Sequence, residues 1–213
     1  MRSRRLAILA AFGLAATALP HHVAEANSVD NQALRDFGTG DAIGTGAHTT
    51  LKRSADAVAV GVHSRGLEPG HAYTVWLAIF NTPDGCATAP CAEPDLFNPA
   101  ATPSVIWSGV GGIANPAGAL NGSGMLSEGN AEGYQQLFTD TAAAGTLDRG
   151  FPDPGFLDAE GAEIHFVVRD HGPDTGDPDQ TSTFEGDCTP PSSIGLGAGA
   201  FECVDVQFSI HEA

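Results

Sequence analysis

Apolar and polar residues alternate with a period of two along several stretches of this chain, and that period predicts strands. From Asp56 onward, Val58, Val60 and Val62 fall on one face, while Ala57, Ala59, Gly61 and His63 fall on the other. The turn-forming run Gly66-Leu67-Glu68-Pro69-Gly70 then leads into His71 to Asn81, which is apolar on both faces. Tyr73, Val75, Leu77 and Ile79 alternate there with Thr74, Trp76, Ala78 and Phe80. A strand apolar on both sides needs a cover outside as well as a core inside. The loop that follows, residues 82–103, is the predicted cover. Ser104–Ile113 and Ala119–Leu126 read as a hairpin around Asn115-Pro116-Ala117-Gly118. Ala162–Asp170 is a further strand, with Ile164, Phe166 and Val168 predicted inward and Glu163, His165, Val167 and Arg169 outward. In the last strand, Cys203–His211, Val204, Val206, Phe208 and Ile210 are predicted inward, and Asp205, Gln207, Ser209 and His211 outward.

Between these runs the pattern weakens. Residues 27–56 are polar and Gly-rich and predict an irregular lead-in with one edge strand at most. Residues 130–144 predict a short helix through Tyr134, Leu137 and Phe138; residues 145–160 and 171–202 predict loops. Short strands with turn signals and long loops predict an all-β fold, an antiparallel β-sandwich forming one domain over residues 27–213.

The first residues carry a different signal. Arg2, Arg4 and Arg5 precede an apolar run from Leu6 to Leu19, broken by Pro20 and followed by the small-x-small triplet Ala24-Glu25-Ala26. The run is shorter than the roughly 20 residues a membrane helix needs, and the arrangement is that of a signal peptide over residues 1–26. A secreted or periplasmic protein without membrane insertion is expected. Export implies an oxidising compartment, where paired cysteines are the rule. The four cysteines, Cys86, Cys91, Cys188 and Cys203, allow three pairings, and their spacing favours two local disulfides, Cys86–Cys91 and Cys188–Cys203.

Composition narrows the partners. The 213 residues hold 9 Lys+Arg against 26 Asp+Glu, a net charge of −17, which argues against binding nucleic acid or anionic lipid. At 42% hydrophobic the chain can fill a core, and 27 Gly with 14 Pro argue against a helical bundle.

The segments GLEPGHAYTVWLAIFN, GAEIHFVVRDHGP and CVDVQFSIH resemble a pattern shared by an uncharacterised group of secreted bacterial β-sandwich proteins. That resemblance implies a secreted β-sandwich and no particular activity. The Gly-Leu-x-Pro-Gly turn entering a strand is also similar to the chordin-type and copper–zinc superoxide dismutase sandwiches. There the next strand carries His-x-His ligands; here it reads His71-Ala72-Tyr73, so copper–zinc dismutation is not implied.

Catalytic signatures are absent from the sequence: no Gly-x-Ser-x-Gly elbow, no His-Glu-x-x-His helix and no phosphate-cradling loop. Two metal readings remain. His63, His71, His165 and His171 sit at or near strand ends and outward faces, and imidazole with carboxylate suits zinc or copper. Asp170, Asp174, Asp177 and Asp179, spaced by Gly and Pro, form a loop able to offer hard oxygens to calcium, without EF-hand spacing. Trp76, Trp107, Phe80 and Tyr73 could serve a sugar-binding surface or the core. The expectation is a secreted, non-catalytic binding or structural module; the alternative is a zinc- or copper-dependent enzyme using the histidines.

Overall fold

In the computed structural model, residues 29–44, 46–129, 138–139, 147–182, 201 and 203–213 are described. They are all-β, with eleven strands and four short 3-10 turns. The strands are β1 (Val29–Ala33), β2 (Arg35–Asp36), β3 (His48–Arg53), β4 (Ala57–Ser64), β5 (His71–Phe80), β6 (Pro103–Ile113), β7 (Leu120–Ser127), β8 (Phe138–Thr139), β9 (Leu147–Asp148), β10 (Glu163–Pro173) and β11 (Val204–His211). A four-stranded antiparallel sheet runs β1-β3-β4-β7, and a five-stranded antiparallel sheet runs β2-β11-β10-β5-β6. β8 and β9 form a separate parallel pair.

One buried cluster draws on both sheets: Leu51, Val58, Val60, Val62 and Leu126 from the first, and Val75, Leu77, Ile79, Ile106, Ile164, Phe166 and Val168 from the second. The alternating positions of β4 and the inward positions of β10 are therefore where the period placed them. Each such fully buried Val, Leu, Ile or Phe contributes about 1.5–3 kcal/mol. β5 is buried on both faces as expected. Trp76, Ala78 and Phe80 form a second cluster with Cys91, Leu96, Ala101 and Val105, so the loop of residues 82–102 does cover the outer face.

Four expectations need correction. The lead-in holds three strands: polar side chains hide β3, whose Thr49 and Leu51 are both fully buried. The predicted hairpin of β6 and β7 is a crossover, since β6 pairs with β5 in one sheet and β7 with β4 in the other. Within the predicted helix, Phe138–Thr139 is strand and the rest lies outside the described residues.

The fourth concerns β11, which presents the opposite face. Gln207, Ser209 and His211 are buried on the core side, whereas Phe208 and Ile210 line the outer face beneath the loop. Among the four residues predicted inward, Val206 alone packs against the core. It is skipped in the pairing with β10, where the register shifts between Val168 and Arg169.

The Cys86–Cys91 disulfide is present. Cys188 lies outside the described residues, and with it the predicted Cys188–Cys203 bridge; Cys203 is buried and is not a free thiol. The predicted signal peptide also lies outside them. Among the described residues no helix is long and apolar enough to cross a membrane.

Candidate functional site: a pocket under the disulfide loop

The side chains that leave the core on the outer face of the five-stranded sheet enclose a cavity of about 270 Å³. Its floor is Trp76 and Ala78 of β5, His165, Val167 and Arg169 of β10, and Phe208 and Ile210 of β11. Its walls are Phe37, which meets Phe208 edge to face at 5.8 Å between ring centroids, and Cys91, Leu96 and Val105. β10 and β11 reach this floor because a strand covered on both faces can spend its second face on something other than the core.

The covering loop is fixed by its own hydrogen bonds. The Asp95 carboxylate accepts the backbone N–H groups of Ala87 (2.9 Å) and Ala92 (3.0 Å), which hold it below the ordinary carboxylate range. Asn98 donates to the Gly85 carbonyl at 2.9 Å. Gly85 is required there, since a Cβ would collide with the Ala100 carbonyl. Glu163 ties the loop to the sheet by accepting the Cys91 N–H at 2.7 Å, and it also pairs with His165 Nε2 at 2.6 Å. Asn81 closes the far end, donating to the Thr102 and Gly155 carbonyls and accepting from Leu157 N–H. The pocket is thus built in advance of any ligand.

The buried charges of the cavity are paired, while Glu93 stands exposed at its edge. Arg169 grips Asp205 in a two-point bond, Nε to Oδ1 at 2.6 Å and Nη2 to Oδ2 at 3.0 Å, with both side chains almost fully buried. Among the described residues lining the cavity none is Ser, Thr or Lys, and the Cys91 sulfur is held in its disulfide.

The predicted metal residues do not converge. His63 is exposed on β4 and bonds Asn121. His71 meets Asp170 at 3.1 Å, and Asp170 also accepts from the Tyr73 hydroxyl and the Gly172 N–H. Burial, and next the negative charge of Asp170, push the Tyr73 hydroxyl well above its ordinary value. His165 is engaged by Glu163, and His171 is buried between Thr74 (2.7 Å) and the Cys203 sulfur (3.5 Å). Of the four histidines and four aspartates, only His71 and Asp170 come together.

In the acidic loop Asp174 accepts the Gly176 N–H and Asp177 accepts the Asp179 N–H. Those carboxylates stabilise turns, and Asp179 stands in the first turn of the Pro178–Thr181 3-10 segment. Among the described residues no group of three or more His, Cys, Asp or Glu side chains is arranged to hold a metal ion. The eight residues are thus spread over separate local contacts and not gathered into one site.

The aromatics divide between the faces. Trp76 and Phe80 line the pocket and Tyr73 lies in the core, while Trp107 packs against the outer cluster and donates to the Val110 carbonyl at 3.2 Å. Sequence reasoning missed Phe37, Leu96, Phe208 and Ile210 as pocket residues. The doubly apolar β5 carried the signal that an outer face was covered, and the apolar side of β11 could have been assigned to it. No family model, no curated protein and no solved structure matches this chain.

Proposed function

We propose that this chain is an exported, non-catalytic β-sandwich module that binds a small uncharged apolar ligand in the pocket under the disulfide loop. One observation carries the reading: a preformed cavity lined by Trp76, Phe80, Leu96 and Phe208, whose buried Arg169 and Asp205 are bonded to each other. Such a site rewards burial of apolar surface, and its buried charges are already paired, leaving the exposed Glu93 carboxylate at its edge. Its volume falls just below the roughly 300–1,000 Å³ of drug-sized sites, which suits a single aromatic ring or a short aliphatic chain. The sandwich arrangement is supported by the single core cluster that draws on both sheets. Export is supported by the basic and apolar start of the chain and by the Cys86–Cys91 bridge.

The test is titration of the protein with indole and with 1-hexanol, followed by amide chemical shifts and Trp fluorescence. Saturable shifts at Trp76, Val167 and Phe208 are expected in the wild type. They should vanish in Ala78→Phe, which fills the cavity from its floor while leaving the core face of β5 untouched. Binding that persists in the filled variant, or no saturable shift in the wild type with either probe, overturns the proposal.

A further inference from the structure

The outer face of the four-stranded sheet carries a second constellation, apart from the pocket. His48 of β3 and His63 of β4 are direct cross-strand partners. Their rings stack with centroids 4.6 Å apart and planes 23° from parallel. His63 is exposed and His48 half-buried. In both rings the tautomer is fixed by what Nδ1 touches. His48 Nδ1 lies 2.7 Å from the Gly46 carbonyl oxygen, which can only accept, so Nδ1 carries the proton.

His63 Nδ1 lies 3.1 Å from Asn121 Oδ1. That amide's orientation is itself settled, because the Arg65 guanidinium, which can only donate, reaches the same oxygen at 3.0 Å. Oδ1 therefore accepts from His63 as well, and His63 also holds its proton on Nδ1. Each neutral ring is left with its Nε2 lone pair bare, and among the described residues neither Nε2 has a hydrogen-bond partner.

An imidazole donating Nδ1–H to a carbonyl while presenting Nε2 is how metal-binding histidines are oriented and made more basic. We propose that His48 and His63 form a two-imidazole site for a late first-row divalent cation on this face. The ring nitrogens suit copper, nickel and zinc over calcium or magnesium, and copper should bind most tightly. Water completes the shell. Two bonds of 2.0–2.1 Å at tetrahedral angles separate the nitrogens by about 3.3 Å, and because each lone pair lies in its ring plane, the two rings turn out of their stack to point both Nε2 atoms at one ion. The net charge of −17 draws cations to the protein as a whole, while the Arg65 guanidinium, bonded to Asn121 beside His63, opposes them locally. Since the ion joins adjacent strands, it binds the folded state alone and stabilises it by mass action.

The experiment uses the full chain at pH 7.5, melted with and without NiCl₂ in excess. The wild type and a His71→Gln control should each rise by about 5 °C or more at one hundred times the dissociation constant. His48→Gln and His63→Gln should each lose that rise, although both side chains lie on the surface and leave the core intact. With one equivalent of CuCl₂, electron paramagnetic resonance should show two coupled imidazole nitrogens in the wild type and fewer in either variant. A rise that survives in His48→Gln or His63→Gln, no rise in the wild type, or a copper spectrum unchanged by either substitution overturns the proposal.

Discussion

His211 is the best single probe of how the two sheets are joined. It is fully buried, with Nε2 at 2.8 Å from the Thr49 hydroxyl of the opposite sheet and Nδ1 at 2.7 Å from the Asp30 carboxylate of the edge strand. Thr49 also meets Ser209 at 2.6 Å, so four polar side chains depend on one another. Truncation to Ala removes one neutral and one charge-assisted hydrogen bond and leaves an imidazole-sized void. With about 1 kcal/mol for the first bond and about 1.5 for the second, plus a void, the loss is about 3 kcal/mol. In a chain of this size that lowers Tm by about 6–12 °C.

Protonation gives a sharper test of the same residue. Burial lowers the His211 pKa, and Asp30 opposes that shift while Arg53 and His165 reinforce it. The native state thus keeps the ring neutral, whereas the unfolded chain takes up a proton below about pH 6.5. The unfolded state then binds more protons, so the contribution of His211 is complete above pH 6.5 and is lost as pH falls below it. Melts of wild type and His211→Gln from pH 8 to pH 5 isolate this group from the other histidines. The Tm difference should be largest at pH 8 and shrink towards pH 5. Two profiles offset by a constant, or a gap that widens in acid, would refute the argument.

The rest of its strand and the covering loop yield two further expectations. Gln207→Ala strips partners from Ser64 and from the Arg65 carbonyl and should cost about 2 kcal/mol in a urea titration, leaving hexanol affinity nearly unchanged. Phe208→Ala, on the opposite face, should do the reverse, weakening hexanol at least tenfold for a smaller loss of stability; equal effects on both readouts would mean that the two faces are not separate. Cys86→Ser with Cys91→Ser opens a ring of sequence separation 5 and should cost about 2 kcal/mol by loop entropy. The same change should weaken pocket binding, and undiminished affinity would show that the loop's hydrogen bonds alone hold the cover.

What the sequence revealed, and what it hid, follows from one property of period-two patterns. Alternation states which residues share a face; it does not say which face meets the core. For β4 the two coincide, because Ala57, Ala59, Gly61 and His63 point away from the buried cluster and Val58, Val60 and Val62 into it. For β11 they part. Its apolar side looks like a core side in isolation, yet its polar side is the one received by Thr49 and Ser64 across the sheet interface. β3 was hidden for the complementary reason: its inward Thr49 is polar because it must answer Ser209 and His211, and so the strand shows no hydrophobic alternation.

Both misreadings come from the same seam, where the sheets meet through hydrogen bonds instead of hydrocarbon. The pocket exists because of that exchange. With Gln207, Ser209 and His211 turned inward, Phe208 and Ile210 must go out, and together with Trp76 and Phe80 they make an outer surface too apolar to leave bare. The disulfide loop covers part of it, and the cavity is the part left open. A polar inner seam and an apolar outer pocket are two consequences of one choice of face, so turning β11 over would remove both.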